Sequence, residues 1–205
     1  EVDALPVLEL KKEDHECADK RWKAKKPLSR AQAITGDASA IAGEILQAHR
    51  FGTRTIVVVN TVDRARALYD ALYKILGHAS PCTRKSPGKG ERRNAAESAD
   101  IGDVPPQIVL LHSRFRPCDR QAHIDAALAE PADGGTIIVS TQVIEAGVDI
   151  SATTLFTEPA PWASLVQRFG RCNRSGEANG FACVYWIDMP RTVSYTHLTL
   201  PTNRE

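Results

Sequence analysis

Short runs of aliphatic and β-branched residues alternate along this chain with longer segments whose apolar residues recur at helical spacing. The runs predict five strands, at residues 53–60, 106–113, 135–142, 153–159 and 181–188. The longer segments predict four helices, at residues 37–52, 62–77, 118–130 and 161–170. An Asp or Ser cap should begin the first helix, Gly52 should end it, and Gly77 should end the second.

This order of strands and helices predicts the fold class. Successive strands that are each followed by a helix require crossover connections, and crossovers produce parallel pairing. The strands read as buried on both faces because their apolar runs are nearly continuous. We therefore predict an α/β fold in three layers, with a central, mostly parallel sheet covered by helices on both faces. In such a sheet, ligands gather at the carboxyl ends of the strands.

Three segments fall outside this pattern. Residues 77–105 are polar and rich in Gly, Pro, Lys and Arg, which predicts a long mobile surface insertion. Residues 1–30 hold charge clusters, and we expect 1–37 to form a leading segment and linker, with a strand around Leu5–Leu10 and a basic stretch. The main domain is then predicted at 38–190. The last residues, SYTHLTLPTNRE, resemble translated sequencing-adapter read-through, so 191–205 are expected to be a non-native or disordered tail of a fragment.

Composition narrows the possible functions. With 26 Lys and Arg against 25 Asp and Glu, the chain is no polyelectrolyte, and any nucleic-acid contact must come from a local patch. The five cysteines include no CxxC pair, which predicts no metal site and is typical of a reducing, cytoplasmic compartment. No apolar run approaches the roughly 20 residues that span a bilayer, so no membrane partner is expected.

Positive charge concentrates in the stretch LVQRFGRCNRSGE, where Arg168, Arg171 and Arg174 recur at a spacing of three. Side chains three residues apart on a helix share one broad face. A guanidinium is always charged, and its planar fork of donors matches phosphate oxygens. The spacing therefore favours phosphate binding. The alternative is a surface helix end with basic residues near its negative dipole pole.

A second stretch, STQVIEAGVDIS at 140–151, follows a predicted strand. Together with the arginine run it resembles motifs V and VI of superfamily 2 helicases. The residues of the two stretches are most similar to those of the CRISPR-associated helicase–nuclease of type I systems. Two earlier stretches, TIVVVNTVDRARALY and IVLLHSRFRPCDR, resemble motif IV and the motif after it. The resemblance covers roughly residues 38–188 and implies the second RecA-like lobe of an ATP-dependent motor, with 1–37 as the inter-lobe linker and leading segment.

The resemblance also implies roles at the nucleotide. ATP would lie in the cleft between two RecA-like lobes, with Arg171 and Arg174 reaching its γ-phosphate as arginine fingers. Gln167 and Arg168 match positions that couple the lobes and the nucleotide.

Motif V supplies the other expected nucleotide contacts. Asp149 matches an acid near the ribose hydroxyls, and Gly147 belongs to the same nucleotide-facing loop. A loop aspartate that caps nearby amides is the alternative for Asp149.

Polar residues at the strand ends are expected to contact nucleic-acid phosphates without reading bases. These residues are Thr141, Gln142, Asn60, Thr61, Ser113 and Arg114. Simple strand-end capping is the alternative for Asn60 and for Ser113. His112 is expected to be packed rather than catalytic, and Trp162 to pack in the core or at a lobe interface. Glu145 could support the motif V loop or touch a ligand.

The missing motifs indicate what else the resemblance requires. The sequence has no GxxxxGK[ST] phosphate loop and no DEAD-like acid pair, so Mg²⁺ is expected to be held by a missing first lobe. Expected partners are single-stranded DNA, the N-terminal RecA-like lobe, an HD nuclease domain and a CRISPR surveillance complex. Two alternatives remain: a lobe of another superfamily 2 DNA or RNA helicase, and an idle RecA-like nucleic-acid-binding module.

Overall fold

The computed structural model describes residues 19–77, 104–146 and 148–189, together with Lys12. Its strands are β1 (Leu28–Ile34), β2 (Arg54–Val58), β3 (Gln107–Leu111), β4 (Thr136–Ser140), β5 (Thr154–Thr157) and β6 (Cys183–Asp188). Its helices are α1 (Asp19–Trp22), α2 (Ala38–Ala48), α3 (Val62–Ile75), α4 (Pro117–Leu128) and α5 (Trp162–Phe169), with a 3₁₀ turn at Gln142–Ile144. The expected strand around Leu5–Leu10, nearly all of the insertion, Gly147 and the tail lie outside the described residues.

The described strands form one six-stranded sheet in the order β1-β6-β5-β2-β4-β3. Every pairing is parallel, and β2 lies at the centre, where Val57 is in register with Val139 of β4 and Phe156 of β5. The predicted parallel sheet is confirmed. All five predicted strands belong to it.

Alternating residues of the strands build a core on each face of the sheet. Val57 and Val59 pack in a cluster with apolar residues of α2 and α3, whereas Ile56 and Val58 pack in a second cluster that includes Ala127 of α4. Burial of such a side chain stabilises the fold by about 1.5–3 kcal/mol. Two apolar faces on one sheet require helices on both sides, which confirms the predicted three-layer α/β architecture.

The ends of the first two long helices test the predicted start and stop signals. Asp37 caps α2 by accepting a hydrogen bond from the Ala40 N–H at 2.9 Å. Gly77, with φ of +73°, follows the end of α3 as expected. The predicted end of α2 at Gly52 is wrong. The helix already ends at Ala48, and the next residue, His49, is extended with its ring hydrogen-bonded to Thr55 Oγ1 and the Gly134 carbonyl.

Strand β1 is the one strand of the described sheet that the sequence pattern did not predict. It lies in the segment that we assigned to the leading linker, yet it pairs with β6 at one edge of the sheet. Of its seven residues only Ala31 is buried, so it carries little apolar signal. The backbone N–H groups of Gln32 and Ala33 donate to the Glu44 carboxylate at 2.9 Å, at the irregularity in the pairing of β1 with β6 between Arg30 and Ile34. The described sheet therefore includes residues ahead of position 38.

Candidate functional site

Polar residues follow the three central strands at their carboxyl ends. Asn60 comes after β2, Thr141 directly after β4, and Glu158 directly after β5. The Asn60 N–H donates to Glu158 Oε2 at 2.7 Å, and its side-chain amide donates to the Pro159 carbonyl at 2.8 Å. The buried Glu158 carboxylate also pairs with Arg64 of α3 at 3.1 Å. This edge is therefore a connected polar network rather than a set of separate strand ends.

Arg168 occupies the centre of that network. It lies on α5, its side chain is 0% exposed, and its Nε donates to Glu145 Oε1 at 2.8 Å. Its Nη1 donates to Thr157 Oγ1 and the Glu158 carbonyl, each at 3.1 Å, and its Nη2 donates to Asn60 Oδ1 at 3.1 Å. Each guanidinium nitrogen thus already donates within the lobe, and the coupling of Arg168 to the nucleotide stays a prediction.

Glu145 connects this network to the second arginine. Its carboxylate accepts from Arg168, and its backbone carbonyl accepts from Arg171 Nη2 at 3.0 Å. Of the two interpretations left open for Glu145, the structure therefore favours internal support of the loop. The Arg171 side chain is 13% exposed, and its Nε is buried without a hydrogen-bond partner among the described residues.

Arg174 and Asp149 form an ion pair beside Arg171. The Arg174 side chain is 41% exposed and that of Asp149 is 81% exposed, and Asp149 Oδ1 also lies 3.8 Å from Arg171 Nη1. The Arg174 backbone N–H donates to Ser151 Oγ at 3.1 Å. The structure thus brings together three of the residues predicted at the nucleotide. Gln167 is exposed on α5, and Gly147 lies outside the described residues.

The chain after α5 is joined by backbone hydrogen bonds to the segment that leads into β5. The Ala152 N–H donates to the Arg171 carbonyl at 2.8 Å, and the Asn173 N–H donates back to the Ala152 carbonyl at 2.8 Å. Asn173 has φ of +45°, in the left-handed region that Asn and Gly tolerate best. Arg171 and Arg174 therefore project from a backbone fixed on both sides of Asn173.

The remaining residues predicted at nucleic acid lie at the carboxyl edge. Thr61 Oγ1 caps α3 by accepting from the Arg64 N–H at 3.3 Å. Ser113 and Arg114 are exposed in the turn after β3, and Gln142 is exposed at the start of the 3₁₀ turn. The Asn60 side chain is committed to bonds within the lobe, as the strand-end alternative expects.

Two aromatic residues were given structural interpretations, and one of these is wrong in part. His112 is buried and stacks on Phe115 with ring centroids 3.9 Å apart, and burial lowers the pKa of its imidazole. The prediction that His112 is packed is confirmed. Trp162 is exposed, so core packing within the lobe is wrong, and packing at a lobe interface stays a prediction.

Three residues of the network, Arg64, Thr157 and Glu158, were missed in the sequence. Thr157 and Glu158 lie in the stretch TLFTEP, and a carboxylate directly after a short predicted strand was the one available signal for Glu158. Within the described ranges there is no group of three or more His, Cys, Asp or Glu side chains placed to hold a metal ion. The same ranges contain no helix with the length and apolar character needed to cross a membrane.

Comparison with known proteins identifies the family. A family model for the C-terminal part of the CRISPR-associated nuclease/helicase Cas3 matches residues 52–177, which is more than half of the chain. The chain belongs to this Cas3-like C-terminal family. The match supports a C-terminal helicase lobe of a Cas3-like superfamily 2 protein, as the resemblance predicted.

Curated relatives agree with this assignment. The chain is 45% identical over 84 residues to the CRISPR-associated nuclease/helicase Cas3 of Haloferax volcanii, covering 38% of this chain and 9% of that protein. It is 34% identical over 139 residues to the CRISPR-associated endonuclease/helicase Cas3 of Thermus thermophilus, covering 57% and 15%. The chain therefore spans only a small part of the length of these relatives.

Solved structures support the fold alone. T. fusca Cas3 with AMPPNP superimposes with a TM-score of 0.59 at 20% identity, covering 93% of this chain and 20% of that one. The C-terminal domain of the DEAD-box protein Dbp5 superimposes with a TM-score of 0.51 at 16% identity, covering 82% and 78%. These neighbours confirm the predicted RecA-like fold.

Proposed function

We propose that this chain is the second motor lobe of an ATP-dependent helicase that moves on single-stranded DNA in type I CRISPR interference. The observation that carries the proposal is the cluster of Arg171, Arg174 and Asp149. Arg171 is fixed by the Glu145 carbonyl and keeps a buried, unpartnered Nε among the described residues. Arg174 lies next to it, half-exposed and held by a single exposed carboxylate.

These features suit a γ-phosphate presented from outside the lobe. Donors that are already fixed at the site of developing charge need no reorganisation during the reaction. Arg171 meets that condition because its position is set by the backbone of Glu145. In related NTPases an arginine finger increases the rate by about 10³–10⁵. Arg174 would exchange Asp149 for a phosphate oxygen, which would free the carboxylate for the ribose hydroxyls.

We place the DNA backbone at the carboxyl edge of the sheet. Gln142 and Ser113 offer exposed polar groups there, Arg114 adds an exposed cation, and Thr141 lies buried at the same edge. Such groups hold phosphates without reading bases, as a motor that moves along any sequence requires. Thr61 at the start of α3 extends the same edge. Asn60 contributes through the network rather than through a free amide.

The proposed protein includes parts beyond this chain. A first RecA-like lobe would supply the phosphate loop and the acids that hold Mg²⁺, and its partners would be an HD nuclease domain and a CRISPR surveillance complex. By itself this chain would not hydrolyse ATP, because it offers one side of the cleft. A cytoplasmic location stays a prediction from the cysteine spacing.

The test is Arg174→Lys in a protein that joins this chain to a first RecA-like lobe. Lysine keeps the charge but loses the two-pronged fork, so transition-state contact should suffer more than ground-state binding. We expect kcat for ATP to fall about 100-fold or more, while nucleotide Kd changes by less than about threefold. DNA binding without ATP should be unchanged. Arg116→Lys, at the exposed arginine that directly precedes α4, is the matched control.

The other outcomes of this experiment are equally decisive. A kcat equal to that of the unsubstituted protein would end the assignment of Arg174 as a finger. Weaker DNA binding with a shallower salt dependence would assign Arg174 to nucleic acid instead. A two-lobe protein that binds DNA but never hydrolyses ATP would support an idle binding module.

A further inference from the structure

The segment that precedes β1 is fastened to the loop that carries the two candidate finger arginines. The Lys25 N–H donates to Asn179 Oδ1 at 2.8 Å, and Asn179 Nδ2 donates to the Lys23 carbonyl at 3.2 Å. Lys26 Nζ donates to the Phe169 carbonyl, at the last residue of α5, at 3.1 Å. Residues 23–26 therefore contact both ends of the loop 169–179, which we call the finger loop.

Asn173 is the central residue of this attachment. It is buried, and it lies between Arg171 and Arg174 in the chain. Its Nδ2 donates to the Lys25 carbonyl and to Asn179 Oδ1, each at 2.8 Å, and its Oδ1 accepts from the Ala178 N–H at 2.9 Å. Both ends of the amide are thus used, one toward the preceding segment and the other within the finger loop.

The backbone conformation at this position does not require an amide side chain. A φ of +45° is adopted by glycine at no steric cost, so glycine would satisfy the local geometry. Asparagine adds two donors and an acceptor at a position that already tolerates it. The side chain is therefore explained by its bonds to Lys25, Asn179 and Ala178 rather than by the turn itself.

We propose that Asn173 is a positioning residue that couples the segment Lys23–Lys26 to the finger loop, and through it to Arg171 and Arg174. This inference rests on the proposed function of those arginines. The segment belongs to the part of the chain that we predicted to be the inter-lobe linker. A shift of that linker would pull on the Lys25 carbonyl and be transmitted through one side chain to the backbone between the two arginines.

We call the hydrogen bonds that Asn173 and Asn179 form with Lys23 and Lys25 the clasp. The finger loop should keep its fold without the clasp. Its backbone is also held by Ala152, which exchanges hydrogen bonds with Arg171 and Asn173 through main-chain groups alone. The clasp can therefore be removed while the loop stays attached to the sheet. This separation makes the proposal testable by substitution.

The first experiment measures hydrogen exchange in this chain, where no ATPase activity is needed. Asn173→Gly retains the left-handed backbone and removes the clasp. We expect the Lys25 amide and the amides of residues 171–176 to exchange about tenfold faster, since the three neutral hydrogen bonds of the Asn173 side chain are lost. Exchange within β2 should stay the same. Faster exchange at Lys25 with unchanged exchange in the finger loop would overturn the coupling.

The second experiment measures kinetics in the two-lobe protein. Asn173→Gly should lower kcat for ATP about tenfold, with nucleotide Kd changed by less than about threefold. Asn179→Ala breaks the same clasp from an exposed position, so it decides the matter should Asn173→Gly fail to fold. The double variant should be no worse than Asn173→Gly alone, because both changes remove one unit.

The results separate this inference from the proposed function. If Asn173→Gly and Asn179→Ala each keep the kcat of the unsubstituted protein while Arg174→Lys is impaired, the proposed role of the clasp is wrong and the finger assignment stands. Unsubstituted kcat in Arg174→Lys would overturn the finger assignment itself. Additive losses in the double variant would contradict a shared clasp.

Discussion

Arg168 and Arg174 belong to the same short run of sequence, yet the fold places them in opposite environments. Arg168 is fully buried and donates to four oxygen atoms of its own lobe. Arg174 is partly exposed and pairs with one carboxylate that is itself mostly exposed. Arg168 holds several elements of the lobe together, whereas Arg174 has a single side-chain partner that a ligand could replace.

The contrast between Arg168 and Arg174 shows that an arginine's role follows from its surroundings rather than from its place in a motif. A buried guanidinium carries a large desolvation penalty, which is offset only when good geometry satisfies its donors. Its removal then leaves several buried acceptors without a donor. An exposed pair contributes little to stability, because water and salt screen it. Arg174 can therefore exchange Asp149 for a ligand at small cost.

The largest effect is expected from Arg168→Met, which keeps much of the side-chain volume and removes the charge. Glu145, Thr157 and Asn60 would each lose a donor in a buried setting. We expect the free energy of unfolding of this chain to fall by about 3–5 kcal/mol. Urea denaturation followed by circular dichroism measures it.

The matched control is Arg174→Met, for which we expect a change below about 1 kcal/mol. Equal losses in the two variants would remove the contrast between the two arginines. A double-mutant cycle with Glu145→Gln should show coupling of about 1–3 kcal/mol with Arg168 and none with Arg174.

A smaller effect is expected from Glu158→Gln. The buried carboxylate accepts from the Asn60 N–H and pairs with Arg64 of α3. Glutamine keeps the size and one acceptor oxygen but loses the charge, so we expect a loss of about 1–3 kcal/mol in the free energy of unfolding. Glu130→Gln, at an exposed glutamate, serves as the control and should change little. A neutral result for Glu158→Gln would mean that the carboxyl-edge network does not stabilise the lobe.

The fold was largely predictable because its central strands are apolar on both faces. Strands such as Arg54–Val58 and Thr136–Ser140 can be predicted from their composition alone. Strand β1 escaped because an edge strand with a single buried residue has no such signature. Its place in the sheet is set by pairing with β6, which lies more than 150 residues later in the chain.

The candidate site was predictable only in its list of residues. The resemblance to motifs V and VI implied that Arg171, Arg174 and Asp149 lie together, and the structure joins them. The same resemblance gave no indication that Arg168 turns inward. That depends on Glu145 and Asn60, which lie 23 and 108 residues away in the chain. Long-range polar satisfaction is a property of the packed structure, and local patterns do not encode it.

The smallest effect is expected from Asp149→Asn, which tests the exposed side of the comparison. Asparagine preserves the shape of the side chain and removes the charge that pairs with Arg174. Because both partners are open to water, we expect the free energy of unfolding to change by less than about 0.5 kcal/mol. In the two-lobe protein the same substitution should weaken nucleotide binding by about three- to tenfold, since an amide oxygen accepts from the ribose hydroxyls less strongly than a carboxylate. Urea denaturation of this chain and nucleotide titration of the two-lobe protein measure the two quantities separately. A stability loss above about 2 kcal/mol would show that Asp149 is structural. Arg174 would then be held as firmly as Arg168, and its exchange of partners would no longer be available as a mechanism.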